Sequence, residues 1–298
     1  MSKLKLGAIG MSEGNGHPYS WSAIFNGYNM EYMKDCPFPV IPDYLSKQSF
    51  PDDSLGNLGS VTHIWTQKRT MSEHIAASSK IQYIVDNMED MIGHIDAVLL
   101  ARDDAENHSK MALPFIKAGL PVFIDKPFAL SMQDARIMLN AQTFDQQIFS
   151  CSSLRYAREL QLSEAERNDM GDIVYVEGSV MKHWETYGMH ILEPIVAQIP
   201  NRGRLLSVTP IKSSDMHIVL VQWKNCLANL KVSGKIPSTL SFTFYGTQGN
   251  ATKVFSDSFA CFKASLSTFV DQVNTRNQII PRSETLEIVE IIEKGTII

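Results

Sequence analysis

The chain lacks what a disulfide scaffold, a membrane span or a nucleic-acid reader would need. Its four cysteines, Cys36, Cys151, Cys226 and Cys261, lie far apart, and none forms a Cys-x-x-Cys pair. That excludes the closely spaced thiolate pairs of zinc modules. Cys151 and Cys226 sit in apolar runs and read as core thiols, with no structural disulfide expected. No apolar run reaches the roughly 18 residues of a membrane span. The opening apolar segment is too short and interrupted for a secretory signal, so a soluble cytoplasmic protein with no membrane partner is expected. No basic cluster stands out among 27 Lys and Arg set against 32 Asp and Glu, which leaves a net charge of −5 and argues against nucleic acid as a partner. Repeats and low-complexity tracts are absent too. What is present is apolar mass: 298 residues, 44% hydrophobic and only 20% charged, enough for two packed cores.

The first half alternates strand-like and helix-like segments. Strands are expected at residues 5–9, 61–66, 83–85, 96–101, 122–125 and 147–152. Helices are expected at 18–28, 72–79, 88–92, 105–118 and 131–142, with Pro18 suited to a first turn and Gly119 to a stop. The strands are apolar throughout rather than alternating, which predicts a parallel sheet covered on both faces. One stretch breaks the rhythm: residues 29–60 hold four of the thirteen prolines and read as an irregular excursion. The second half has longer segments with period-two stretches, at 172–181, 204–211, 217–223, 227–233 and 239–245. These suit an antiparallel sheet with one packed face. Helices recur at 187–198, 261–275 and 284–294, the last capped by Ser283 and stopped by Gly295. The expected class is therefore α/β. A doubly wound parallel sheet occupies residues 1–153, and an α+β domain with a large, mostly antiparallel open sheet occupies 154–298.

Chemistry gathers where parallel strands end. Lys126 follows a short apolar strand and precedes Pro127, so it emerges from a buried strand as a proton-transfer candidate beside Asp125. At the amino terminus, Gly10, Ser12, Gly14, Asn15 and Gly16 form a glycine-rich turn between a strand and a helix, a place where phosphate can approach backbone N–H groups. The spacing is not G-x-G-x-x-G, because Ser12 stands at the second glycine position. No carboxylate ends the second strand. Lys68 and Arg69 follow it instead and favour a 2′-phosphate over a bare ribose, unless both are simply solvated. Ala101, Asp103 and His108 follow the fourth strand. Asp103 and Asp104 suit helix caps, and His108 falls in the helix's first turn, where it can face the cleft above the sheet. In the second half, His190 and Glu193 share a helix face. A metal set of His183, His190 and Glu193 matches no known zinc helix spacing, so no metal is expected.

The order of these motifs resembles the glucose–fructose oxidoreductase/inositol dehydrogenase/MocA (Gfo/Idh/MocA) family. Asp125-Lys126-Pro127 is similar to its Glu-Lys-Pro. Residues 95–108 resemble its D-A-V-V-I-A-T-P-N-x-x-H run, and Gly188-Met189-His190-Ile191-Leu192-Glu193 its G-x-H-x-x-D. The resemblance covers nearly the whole chain. It implies a Rossmann domain followed by a substrate and oligomerisation domain, and a hydride passed between a nicotinamide and a carbinol carbon. The substrate would be a sugar, cyclic polyol or nucleotide sugar, with Lys126 and His190 handling the hydroxyl proton. Arg155, Tyr156, Trp184, Thr186 and Tyr187 are the expected substrate contacts, the aromatics by stacking on a sugar ring. NADP is favoured over NAD. A homodimer or homotetramer through the open sheet is expected. Thr186 stands where many relatives carry an aspartate that orients the histidine, with Glu185 a candidate substitute. Ser12 and Thr186 keep open a dinucleotide- or sugar-binding protein without turnover, and the resemblance also allows a glycosidase that retains NAD.

Overall fold

A computed structural model describes residues 3–296. The chain forms two compact units. One comprises the residues up to Ala129, Gln133–Ser150 and Phe262–Ile280; the other comprises Leu130–Met132, Cys151–Cys261 and the residues from Pro281 onward.

The first unit opens with β1 (Leu4–Ile9), α1 (His17–Asn26), α2 (Met30–Met33), α3 (Val40–Leu45), β2 (Gly59–Trp65), α4 (Arg69–Ser79) and β3 (Tyr83–Ile84). It continues with β4 (Ala97–Leu100), α5 (His108–Lys117), β5 (Val122–Ile124), α6 (Met132–Asn140) and β6 (Ile148–Phe149). The strand order is β3-β2-β1-β4-β5-β6, and every pairing is parallel. Ala97 to Leu100 and Val122 to Ile124 are buried without exception, as a sheet covered on both faces requires. The order reverses between β1 and β4, and the carboxyl ends there form the crevice of a doubly wound sheet. The excursion at 29–60 is more ordered than its prolines suggest. It folds into α2 and α3, and Leu55 N–H bonds Ile24 O at 2.8 Å to close it onto α1.

Residues Phe262–Ile280 belong to this unit although they follow the second sheet in sequence. They carry most of a helix that begins in the other unit. The Phe269 ring lies 5.5 Å from Phe123 and 5.9 Å from Phe149. Gln272 donates to Gln146 O at 2.9 Å and to Ile148 O at 3.1 Å, satisfying backbone beside the edge strand β6.

The second unit contains α7 (Glu164–Met170), β7 (Ile173–Val180), α8 (Trp184–Gln198), β8 (Leu205–Ser213), β9 (Met216–Trp223), β10 (Leu227–Val232), β11 (Ser241–Gly246) and β12 (Asn250–Val254). The start of α9 (Ser258–Thr275) and all of α10 (Arg282–Gly295) follow. The strand order is β12-β11-β7-β10-β9-β8, antiparallel except for the parallel β7–β10 pair. One face is apolar: Val176, Val180, Val219, Val221, Ala228, Leu230, Phe242 and Phe244 are buried. The other face presents Glu177, Ser179, Asn229, Lys231 and Thr243. Edge strand β12 escapes a periodicity reading because none of its residues is buried. α7 carries a full capping box, Ser163 with Glu166. Two helix ends differ from expectation: Pro281 precedes α10, so Ser283 lies inside its first turn, and Gly295 is its last helical residue.

Candidate functional site

Between β1 and α1 the chain turns through Gly10 to Gly16. Gly14 takes φ +77°, a left-handed conformation that glycine adopts without strain. A Cβ at Gly16 would come within 2.5 Å of Ile41 and 2.6 Å of Phe38, so the excursion packs directly on the turn. The Met11 N–H donates to Gln67 Oε1 at 2.9 Å and the His17 N–H to Asn15 Oδ1 at 2.8 Å. The amides of Ser12, Glu13, Gly14 and Gly16 have no acceptor among the described residues. Uncommitted N–H groups at a strand-to-helix turn form a cradle for an anion such as a pyrophosphate.

The residues that depart from the glycine fingerprint tie this turn to its neighbours. Ser12 Oγ donates to Asp103 Oδ1 at 2.5 Å and accepts from the Asp103 N–H at 3.0 Å, joining the turn to the β4 exit. Asn15 Nδ2 donates to Asp125 Oδ2 at 2.8 Å, joining it to the β5 exit. Asp125 is 1% exposed. It also meets His17 Nδ1 at 2.5 Å and accepts from the Lys126 N–H at 2.8 Å. Burial works against its charge, but His17, Lys126 and Asn15 outweigh it and hold the carboxyl below its ordinary range. Lys126, itself buried, places Nζ 3.4 Å from Asp103 Oδ2. Ser12, Asn15, Asp103, Asp125 and Lys126 thus form one connected group. His17 completes it, its ring stacked on Trp21 at 4.9 Å. The sequence marks the His17–Trp21 turn as a feature that can shape a pocket but does not single out His17 as a site residue; its position directly after the glycine turn is the available signal.

Two residues after β4 serve the scaffold. The Ala101 N–H donates to Ile9 O at 2.8 Å, extending the ladder. His108 does not face a cleft. It is fully buried, and its ring bridges Arg102 O at 2.9 Å and Phe128 O at 3.2 Å. Asp104 does not cap a helix with its side chain. Its carboxylate takes Arg102 through contacts of 2.5 and 2.8 Å. At the β2 exit, Arg69 is exposed and already paired, 2.6 Å from Asp86 and 3.4 Å from Glu73. Lys68 makes no such ion pair among the described residues and stands before the first turn of α4.

In the second unit, α8 starts at Trp184 and carries His190. Ser152 Oγ lies 2.7 Å from His190 Nδ1. The Tyr187 ring meets His190 edge-on at 5.0 Å, and its hydroxyl accepts from Lys182 Nζ. Thr186 and Tyr156 are half-buried, one on the same helix and one in the short turn after Ser152. Two expected substrate contacts are structural instead. Trp184 is 1% exposed, and its Nε1–H donates to Ile292 O at 3.0 Å, so its faces are packed and cannot stack on a sugar. Arg155 donates to Glu193 Oε2 at 2.8 Å and also pairs with Glu284. Burial opposes the Arg155 cation, yet the two carboxylates outweigh it and push its pKa up. Burial raises the Glu193 carboxyl, with only partial relief from Arg155. Glu185 lies near His217 and interacts with it electrostatically. Among the described residues no cluster of His, Cys, Asp and Glu is placed to hold a metal ion, and no helix is long and apolar enough to cross a membrane.

The strand order is that of a Rossmann sheet. Comparison then narrows the class. Residues 44–152 match the model of the oxidoreductase family with an NAD-binding Rossmann fold, Gfo/Idh/MocA. No curated protein matches the sequence. Among solved structures, GenD2 from gentamicin A biosynthesis in complex with NAD shares 15% identity at a TM-score of 0.76, covering 99% of this chain and 93% of its own. A myo-inositol dehydrogenase from Corynebacterium glutamicum shares 12% at 0.73, covering 98% and 95%. A putative myo-inositol dehydrogenase from Sinorhizobium meliloti shares 13% at 0.72, covering 98% and 95%. These likenesses show a common fold over nearly the whole chain, second sheet included.

Proposed function

We propose that the protein is a nicotinamide-dependent oxidoreductase that acts on a CH–OH group of a sugar, a cyclic polyol or a nucleotide sugar. One observation carries the reading: Lys126, buried at the β5 exit, shares the Asp103–Ser12 link with a turn whose amides are free. The residues fit a dinucleotide. Ser12, Glu13, Gly14 and Gly16 would hold the pyrophosphate through their N–H groups, and Asn15 and Ser12 brace the turn. The bound cofactor supplies or receives the hydride. Lys126 and His190 manage the hydroxyl proton, Lys126 held in a carboxylate frame and His190 steadied by Ser152. The absence of a carboxylate after β2 supports acceptance of NADP as well as NAD. Lys68 is then the cation for a 2′-phosphate, since Arg69 is held by Asp86 and Glu73. Tyr187, Thr186 and Tyr156 are the proposed substrate contacts. The open face of the second sheet is the proposed seat of a second copy of the chain, and light scattering at about 33 kDa would refute it.

The direct test is fluorescence titration with NADH and with NADPH, following energy transfer from the tryptophans. Saturable binding is the expected result. A folded, cofactor-free protein that binds neither would overturn the reading. Oxidation of a sugar or polyol panel that survives both Lys126→Ala and His190→Ala would overturn the residue roles.

A further inference from the structure

Ser152 is fully buried in the second unit, directly before the short turn Ser153–Tyr156. Its Oγ accepts from the Leu154 N–H at 3.3 Å and lies 2.7 Å from His190 Nδ1. Among the described residues no other acceptor lies within reach of its hydroxyl. A buried O–H left without an acceptor is costly, at about 1–3 kcal/mol. The hydroxyl proton therefore goes to His190 Nδ1, and a ring nitrogen that accepts carries no proton of its own.

We infer that Ser152 is a positioning residue that fixes neutral His190 as its Nε2–H tautomer. An acid at position 186 would do the opposite. A carboxylate only accepts, so it would demand Nδ1–H and leave Nε2 as a base. With serine in that role, neutral His190 offers a proton from Nε2 to a substrate oxygen and takes none there. The accepting role then falls to another group. The inference deepens the proposed oxidoreductase reading, and its division of labour rests on that reading. The surroundings support a fixed ring. Arg155, three residues after Ser152, grips Glu193, three residues after His190, so the two segments are clamped in register. The polar or charged groups three or four residues from His190 on α8 are Thr186, Tyr187, whose hydroxyl accepts from Lys182 Nζ, and Glu193, taken by Arg155.

Histidine-selective ¹⁵N NMR on the full chain tests this, with the His190 signals assigned by their loss in His190→Gln. Above its titration, His190 should show a protonated Nε2 and a bare Nδ1. Ser152→Thr should keep that pattern. Ser152→Ala should mix the two tautomers, and Ser152→Asp should reverse them and raise the ring's titration midpoint by ~1–3 pH units. An Nδ1–H ring in the unmodified protein would overturn the assignment, as would a ring unchanged in a folded Ser152→Ala. Neither result touches the dehydrogenase reading, which fails separately if NADH and NADPH both fail to bind.

Discussion

Removal of Arg155 puts the structural reading of the second unit at most risk. The guanidinium is 9% exposed and bonds two carboxylates, Glu193 at 2.8 Å and Glu284. Glu193 has no route to water, being 2% exposed. Arg155→Met keeps much of the packing volume but leaves that carboxylate buried without its cation. Breaking a buried pair from one side costs about 3–5 kcal/mol. For a unit of this size that is a fall in Tm of about 6–20 °C. The loss must also depend on pH. Without Arg155 the folded-state pKa of Glu193 rises further above its ordinary value of 4.5. A raised carboxyl contributes its full stability below the unfolded pKa and loses it as pH rises through the folded one. The deficit should be largest near pH 7 and shrink as pH falls toward 5. Arg155→Met/Glu193→Leu should recover most of it, because an apolar pair of similar volume is tolerated where an orphan charge is not. Urea unfolding across that pH range is the assay. A loss below ~1 kcal/mol at pH 7, together with a raised KM for a sugar, would refute the reasoning and return Arg155 to the substrate.

Other consequences follow from the first unit. Gly16→Ala drives a methyl group into Phe38 and Ile41 and should cost ~1–3 kcal/mol in chemical denaturation; an unchanged midpoint would mean that the excursion yields easily. His17→Ala removes the imidazole that meets Asp125. The depressed carboxyl contributes stability above its unfolded pKa and loses it as pH falls through the folded one. Acid unfolding of the variant should therefore begin at higher pH than in the unmodified protein, and coincident curves would show that His17 does not support that charge. Asp86→Ala releases Arg69 beside Lys68 and should improve NADPH over NADH binding by about two- to five-fold, the scale of one exposed ion pair. An unchanged ratio of Kd values would place the 2′-phosphate elsewhere.

Much of the architecture is legible before any coordinates. Continuous apolar strands, Gly119 as a stop and the period-two segments of the second half lead to a parallel sheet and then a mostly antiparallel one, as found. These signals are local: they concern which neighbours in sequence share a face, and secondary structure obeys them. Lys126 is legible too, because a strand exit is a local event. The failures have another origin. Trp184 was read as a sugar platform and Arg155 as a ligand because each is the right residue type near a motif. Whether a face is free depends on Ile292, Glu193 and Glu284, which stand far away in the chain. β12 was missed because an edge strand buries no side chain and so carries no apolar alternation. By itself the sequence determined the element order apart from α2, α3, α7 and β12, the two sheets and the lysine at the β5 exit, since propensity and periodicity act over a few residues. Only the tertiary structure decided that Ser152 faces His190, that His17 meets Asp125 and that Phe262–Ile280 returns to the first unit, because burial and hydrogen-bond partnership arise between segments that the chain brings together only when it folds.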